Sequence, residues 1–184
     1  VTVIPTWGAS PGVDPGGNDI GSTLGGVEWG SATDGTTVYV AEANYAQKPA
    51  HLTVGPGAGK TICTGFWAAI NPADGTIKWE TPVQPEIDAV SGSCVYNRNN
   101  LSVPIGPVSV ANGVVYVGDL NVGYSTIGNM HALDASSGKE LWHFQGAGSS
   151  NAGPAIVNGV LYWGNGYYIG VNSTTFYAFS LNGQ

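Results

Sequence analysis

One pattern, written three times, dominates the chain: a short apolar strand, an Asp-Gly or Asn-Gly pair, then a strand rich in Val and Tyr. It runs from Gly30 to Val40 with Asp34-Gly35 at its centre, from Gly106 to Val117 with Asn112-Gly113, and from Gly153 to Trp163 with Asn158-Gly159. Asx-Gly between two such strands fits a two-residue hairpin turn, which needs positive φ at both central positions. A second half-unit follows each hairpin. Ala69-Ile70-Asn71-Pro72-Ala73-Asp74-Gly75-Thr76-Ile77-Lys78-Trp79 matches Ala132-Leu133-Asp134-Ala135-Ser136-Ser137-Gly138-Lys139-Glu140-Leu141-Trp142, and a last copy starts at Tyr177-Ala178-Phe179. In it a strand ends on an Asx residue whose side chain can fold the backbone into a turn. A further strand then carries a Trp suited to packing between sheets.

Four antiparallel strands repeated radially describe a blade of a β-propeller. The expectation is therefore an all-β fold of four-stranded antiparallel blades, about three of them plus an edge strand, forming an incomplete ring. Residues 1–25 read as an edge strand (Val1–Trp7) and a Gly-rich connection from a preceding blade. The blades are expected over 26–82, 103–146 and 150–184. The hairpins stand 78 and 46 residues apart, so the first gap carries surplus chain, assigned to insertions at 43–66 and 86–101. Closed propellers have about four to eight blades, and an open wedge exposes sheet edges. The remaining blades are expected from the same precursor or from another chain, and the start at Val1 fits a processed or excised chain.

Composition narrows the partners. The 184 residues include 29 Gly and 11 Pro, and only 9% are charged, with a net charge of −7. Nucleic acid and anionic membrane surfaces are bound largely through Lys and Arg, so neither is expected, and no apolar run is long enough to span a bilayer. Each insertion holds one cysteine. Cys63 and Cys94 either close a disulfide between the insertions or stay as buried thiols. With the sequons at Asn100 and Asn172, they point to an extracellular or periplasmic glycoprotein.

The element Ala-x-Asp-x-x-(Ser/Thr)-Gly-Lys-x-x-Trp at Ala132 to Trp142, looser at Ala69 to Trp79, resembles the docking motif of pyrroloquinoline quinone (PQQ) quinoproteins. Leu24 to Gly35, Gly65 to Asn71, Gly106 to Tyr116 and Phe176 to Ser180 resemble, in order, the C-terminal part of polyvinyl-alcohol-dehydrogenase-like members. The resemblance implies a quinoprotein-type propeller that oxidises an alcohol with PQQ and calcium. A cation would polarise the quinone carbonyl and a carboxylate would take the hydroxyl proton. In relatives the base and main calcium ligands lie largely in earlier blades.

Residues that open or follow the inner strands are the candidates for such a site. Glu28, Trp29, Asn151 and Trp163 are assigned to the cofactor, for hydrogen bonding and stacking. Asn44, Asp119 and Asn121 offer oxygen ligands suited to calcium, and Asn165 stands similarly in the last unit. His51, His131 and His143 have no metal-like spacing and read as structural or solvent-facing. Gly55 to Thr61 has the wrong spacing for a phosphate-binding loop and reads as a flexible insertion. The competing reading is a non-catalytic propeller that scaffolds or binds glycans, its ligand a carbohydrate instead of a small alcohol.

Overall fold

The computed structural model describes residues 27–45, 47–83, 93–95, 101–122, 129–166 and 173–180. The expected strand Val1–Trp7, the sequon residues Asn100 and Asn172, and most of the insertion at 86–101 lie outside the described residues. Fifteen strands are present among the described residues: β1 (Ala32–Thr33), β2 (Val38–Glu42), β3 (Ala50–His51), β4 (Thr61–Ile62), β5 (Phe66–Ile70), β6 (Ile77–Pro82), β7 (Leu101–Val103), β8 (Ser109–Ala111), β9 (Val114–Gly118), β10 (Leu120–Val122), β11 (Asn129–Asp134), β12 (Glu140–Gln145), β13 (Ala155–Val157), β14 (Val160–Gly164) and β15 (Phe176–Ser180). They form antiparallel sheets β1-β2-β5-β6, β8-β9-β11-β12 and β13-β14-β15, with short ribbons β3-β4 and β7-β10. These sheets are blades 1, 2 and 3, and they do not close a ring. The first strands meet at the inner edge, where β8 touches both β1 and β13.

The hairpins explain why the Asx-Gly pairs recur. Ala111 pairs with Val114 and Val157 with Val160, leaving two-residue turns. Both central residues take positive φ, 50° and 76° at Asn112 and Gly113, 51° and 77° at Asn158 and Gly159. The first hairpin departs from this. Thr33 pairs with Val38, so the loop has four residues, and only Gly35 is left-handed. The cause is the Asp34 carboxylate, which accepts the backbone N–H groups of Thr36 (2.8 Å) and Thr37 (2.9 Å) and the Tyr39 hydroxyl (2.8 Å). A carboxylate that gathers so many donors makes its own turn.

The third and fourth strands of blades 1 and 2 are joined by near-identical turns. Asp134 Oδ1 accepts from the N–H groups of Ser136 and Ser137, and its carbonyl accepts from Gly138. Asn71 does the same for Ala73 and Gly75. The register slips at the same place in both, between Ala69 and Ile70 and between Ala132 and Leu133.

Trp79 explains the second half of the motif. It is 1% exposed, its indole N–H donates to the Ala135 carbonyl of blade 2 at 2.9 Å, and its ring lies against Gly138. A Cβ on Gly138 would stand 2.6 Å from the Trp79 ring and 2.7 Å from Thr81 Oγ1. Around this contact Tyr39, Ala41, Trp67 and Ala69 of blade 1 pack on Val115, Val117 and Leu133 of blade 2. The next junction repeats the plan: Tyr116, Met130 and Phe144 of blade 2 meet Leu161, Trp163 and Phe179 of blade 3.

The insertion after β2 folds back instead of floating free. Leu52 and Ile62 pack on Val40, Phe66, Ala68 and Ile70, covering the other face of blade 1. Glu80 anchors it, its Oε2 accepting the N–H groups of Thr53 and Val54, while its own N–H donates to the Val54 carbonyl. Gly55 to Gly57 form a single 3₁₀ turn; the segment expected to be a flexible insertion is thus seated on blade 1. Cys63 and Cys94 form a disulfide with Cα atoms 5.6 Å apart across 31 residues.

Gly138→Ala should destabilise the protein by more than about 2 kcal/mol, because it meets both the left-handed φ penalty and the Trp79 ring. Gly113→Ala, at φ 76° but facing open space, should cost only about 1 kcal/mol. Urea titration of both variants checks the contrast. Reducing the disulfide releases a loop worth about 3–4 kcal/mol by chain entropy, and the urea midpoint of the reduced protein should fall accordingly.

Candidate functional site

In an antiparallel sheet the start of the first strand lies beside the end of the second. Glu28 and Trp29 precede β1, Asn44 follows β2, Asp119 links β9 to β10, Asn151 precedes β13 and Asn165 follows β14. The topology therefore collects every one of these candidates on the same rim of the three blades. Asn121 sits within β10, and its side chain lies outside what is described.

Their side chains are placed differently from one another. Glu28 is exposed. Trp29 is half-buried and packs with Tyr45 on Ala43, Val103, Ile105 and Leu120, and its indole N–H is buried without a partner. Asn44 takes φ 43°. Its amide donates to the carbonyls of Lys48 (2.8 Å) and Thr64 (3.0 Å) and accepts from the Lys48 N–H (2.9 Å). The expected ligand is thus the clasp at the neck of the insertion, since these three bonds occupy its amide. Trp163 also corrects the expectation. It is fully buried in the junction between blades 2 and 3, with its N–H donating to the Ala152 carbonyl at 2.8 Å, so no ring face is left for a quinone.

Asp119 is wholly buried, and its Oδ2 lies 3.2 Å from His131 Nε2. The other ring nitrogen of His131 lies 2.6 Å from Glu140 Oε2, and the Trp67 ring covers it at 5.0 Å between centroids. Burial opposes the charge on this imidazole, but the carboxylates of Asp119 and Glu140 overcome it and hold the pKa at about 9. His131 is therefore an imidazolium clamped between two strands of blade 2 under the Trp67 face of blade 1, a geometry that also favours a cation. His143 is exposed, lies 3.1 Å from Glu140 Oε1 through Nδ1, and its ring stands 6.3 Å from that of His131. Exposed His51 bonds Thr61 across the β3-β4 ribbon.

The last unit keeps a free polar atom. Asn151 Oδ1 is buried without a partner beside a cavity of about 280 Å³ lined by Asn151, Ala152, Gly164, Asn165 and Gly166. With its amide oriented so that donors meet acceptors, Asn165 donates to Thr175 O and Ser173 Oγ and accepts from the N–H groups of Ala147 and Gly148, which occupies it. Sequence reasoning overlooked Glu42. This carboxyl ends the apolar strand Val38-Tyr39-Val40-Ala41-Glu42, is 2% exposed, and leaves Oε2 without a partner. Burial pushes its pKa up to about 7, opposed only by the backbone N–H of Asn44. A lone acid closing an apolar strand is the sequence signal that could have marked it.

Three comparisons bear on kinship. Residues 64–182 match the PQQ-repeat family described as "Outer membrane protein assembly factor BamB". The chain belongs to this family. It is 28% identical over 163 residues to a "Polyvinylalcohol dehydrogenase" of Pseudomonas sp, covering 80% of this chain and 22% of that protein. The chain thus spans about a fifth of that relative's length. Among solved structures it is similar to a europium-containing methanol dehydrogenase (22% identity, 78% of this chain and 21% of the other, TM-score 0.47). It is also similar to BamB from Moraxella catarrhalis (12%, 86% and 51%, TM-score 0.31).

The groups that the family resemblance implies can now be set against the residues. Among the described residues no group of His, Cys, Asp and Glu is arranged to hold a metal; Asp119 and Glu140 are spent on His131 and Asn44 on backbone. Calcium does not fit these donors. Of the residues assigned to the quinone, Trp163 is sealed in the core, while Asn151 keeps an unpartnered oxygen at a cavity.

The His131 clamp makes stability depend on pH. The folded pKa of His131 stands above its unfolded value near 6.5. Its contribution is therefore complete below about pH 6.5 and is lost as pH rises through about 9. Thermal melts between pH 6 and 9.5 should show a falling Tm in the wild type and a flatter profile in His131→Gln.

Proposed function

We propose that this chain is a sector, C-terminal or supplied as a subunit, of a PQQ- and calcium-dependent alcohol-dehydrogenase-like quinoprotein of the extracellular or periplasmic space. The observation that carries this is the likeness to a polyvinylalcohol dehydrogenase along 80% of the chain. The disulfide supports an oxidising compartment, and among the described residues no helix is long and apolar enough to cross a membrane. In this reading the chain supplies wall and rim, with Glu28 and Asn151 facing the ligand, and the metal ligands and catalytic base come from blades outside it.

A second reading, a non-catalytic propeller that scaffolds or binds a carbohydrate, draws on the internal engagement of Asn44, Asp119 and Trp163 and on the family's description as an assembly factor. Titration with PQQ and calcium, followed by quinone absorbance, separates the two. A longer polypeptide that includes this chain should bind PQQ and reduce a dye when given an alcohol. Asn151→Ala in it should weaken PQQ binding about tenfold while leaving the melting temperature unchanged. Absence of PQQ binding in that longer polypeptide would leave the non-catalytic reading standing.

A further inference from the structure

Among the described residues the dipeptide Asn-Gly stands at Asn112-Gly113, Asn158-Gly159 and Asn165-Gly166, and the fold gives these identical pairs three different surroundings. Asparagine before glycine is chemically labile, because glycine has no side chain to shield its backbone nitrogen from the neighbouring amide carbon. How fast a pair reacts depends on whether that nitrogen and that carbon are free to meet.

At Asn165-Gly166 they are held apart. The Asn165 side chain bonds Thr175 O, Ser173 Oγ and the N–H groups of Ala147 and Gly148. The Gly166 N–H donates to the carbonyl of buried Ser149 at 2.9 Å. All of these contacts must break before the Gly166 nitrogen can reach the Asn165 amide carbon.

The two hairpin tips are the reverse. Asn112, Gly113, Asn158 and Gly159 are exposed, and a Cβ on either glycine would meet nothing within 4 Å. Among the described residues no group bonds the Asn112 or the Asn158 amide. All four residues take left-handed φ, so a tip must open before nitrogen and carbon align. Opening is easier in blade 3. In blade 2 the Ala135 N–H ties down the Gly113 carbonyl at 2.9 Å, and Ala135 is itself held through its own carbonyl by the Trp79 indole. Val157, beside the blade 3 tip, is exposed, whereas Ala111 at the same place in blade 2 is half-buried. Thinly packed backbone of this kind opens first.

We propose that Asn158-Gly159 is a site of spontaneous modification, that Asn112-Gly113 follows it more slowly, and that the fold protects Asn165-Gly166. The Gly159 nitrogen attacks the side-chain carbonyl carbon of Asn158 and a new N–C bond forms. The bond to the side-chain amide nitrogen breaks, and that nitrogen leaves as ammonia with the proton given up by the Gly159 nitrogen. Water then opens the five-membered imide at either carbonyl, leaving aspartate or isoaspartate; nothing is oxidised or reduced. Either product adds a negative charge. Isoaspartate also lengthens the main chain by one carbon inside a turn closed by the Val157–Val160 pair, so the hairpin must distort to hold it. This chemistry is independent of whatever the rim binds.

The test keeps the chain in mildly alkaline buffer, folded in one arm and unfolded in urea in the other. Peptide mapping by mass spectrometry follows each pair, and methyl transfer from S-adenosylmethionine by an isoaspartyl methyltransferase counts the isoaspartate. In urea the three pairs should convert at similar rates. In the folded chain Asn112 should lag Asn158 by about fivefold, for its one added hydrogen bond, and Asn165 should lag by more than about a hundredfold, for its fully bonded amide. Gly159→Ala, whose new Cβ faces open space, should remove most of the conversion at Asn158 while the chain stays folded. Equal rates at the three pairs in the folded chain overturn the proposal. So does conversion of Asn112 or Asn165 ahead of Asn158, or an Asn158 that stays intact when folded while it converts in urea.

Discussion

A single indole seated on a turn of the neighbouring sheet sets the geometry of this protein. Trp79 needs a carbonyl for its N–H and a flat, bare surface for its ring, and the turn from Asp134 to Gly138 supplies both. Each requirement reaches back to a residue. The Asp134 carboxylate holds the turn that aims the Ala135 carbonyl, and Gly138 leaves the space that any Cβ would fill. Blade 1 is fixed on blade 2 at its outer end by this contact, so the inner strands converge and the apolar faces between them close. The same device in blade 2 lacks its full surroundings: Trp142 is 37% exposed and rests edge-on against Phe179.

Where the Trp contact holds the outer end of the first junction, an ion cluster with buried His131 and Asp119 and exposed Glu140 occupies the polar end. An imidazolium between Asp119 and Glu140 is costly to desolvate, and the two carboxylates and the Trp67 face offset that cost. The arrangement also decides what the rim can offer. A rim acid that neutralises a histidine is not available to a metal, and an amide that clasps an insertion is not available to a ligand. The rim is thus chiefly architectural in blades 1 and 2, with open polar capacity at Glu42 and Asn151.

The fold was largely legible because each blade is written in local chemistry: Asn-Gly specifies its turn whatever surrounds it, and an Asx followed by Gly four residues on specifies the next. Asp34-Gly35 was misread because the same dipeptide can serve a carboxylate-centred loop once Thr36, Thr37 and Tyr39 supply donors. The site was less legible. The sequence places Asn44, Asp119 and Trp163 at the ends of strands, but whether a side chain turns outward or is consumed by a neighbour depends on Lys48, Thr64, His131 and Ala152, contacts that no spacing rule encodes. The sealing of blade 1 by Leu52 and Ile62 was hidden for a similar reason, since a Gly- and Pro-rich insertion looks mobile until its few apolar residues find a face.

The unequal ends of the stack imply a gradient in local stability. Among the described residues blade 1 is covered on both faces and its insertion is tied by a disulfide, blade 2 is held by two junctions, and blade 3 has one junction and three strands. In a repeat architecture, where each unit answers mainly to its neighbours, opening should begin at β15 and travel inward. Amide protection measured along the chain would then read as a distance from the disulfide, making blade 3 the part of the molecule most ready to exchange one neighbour for another.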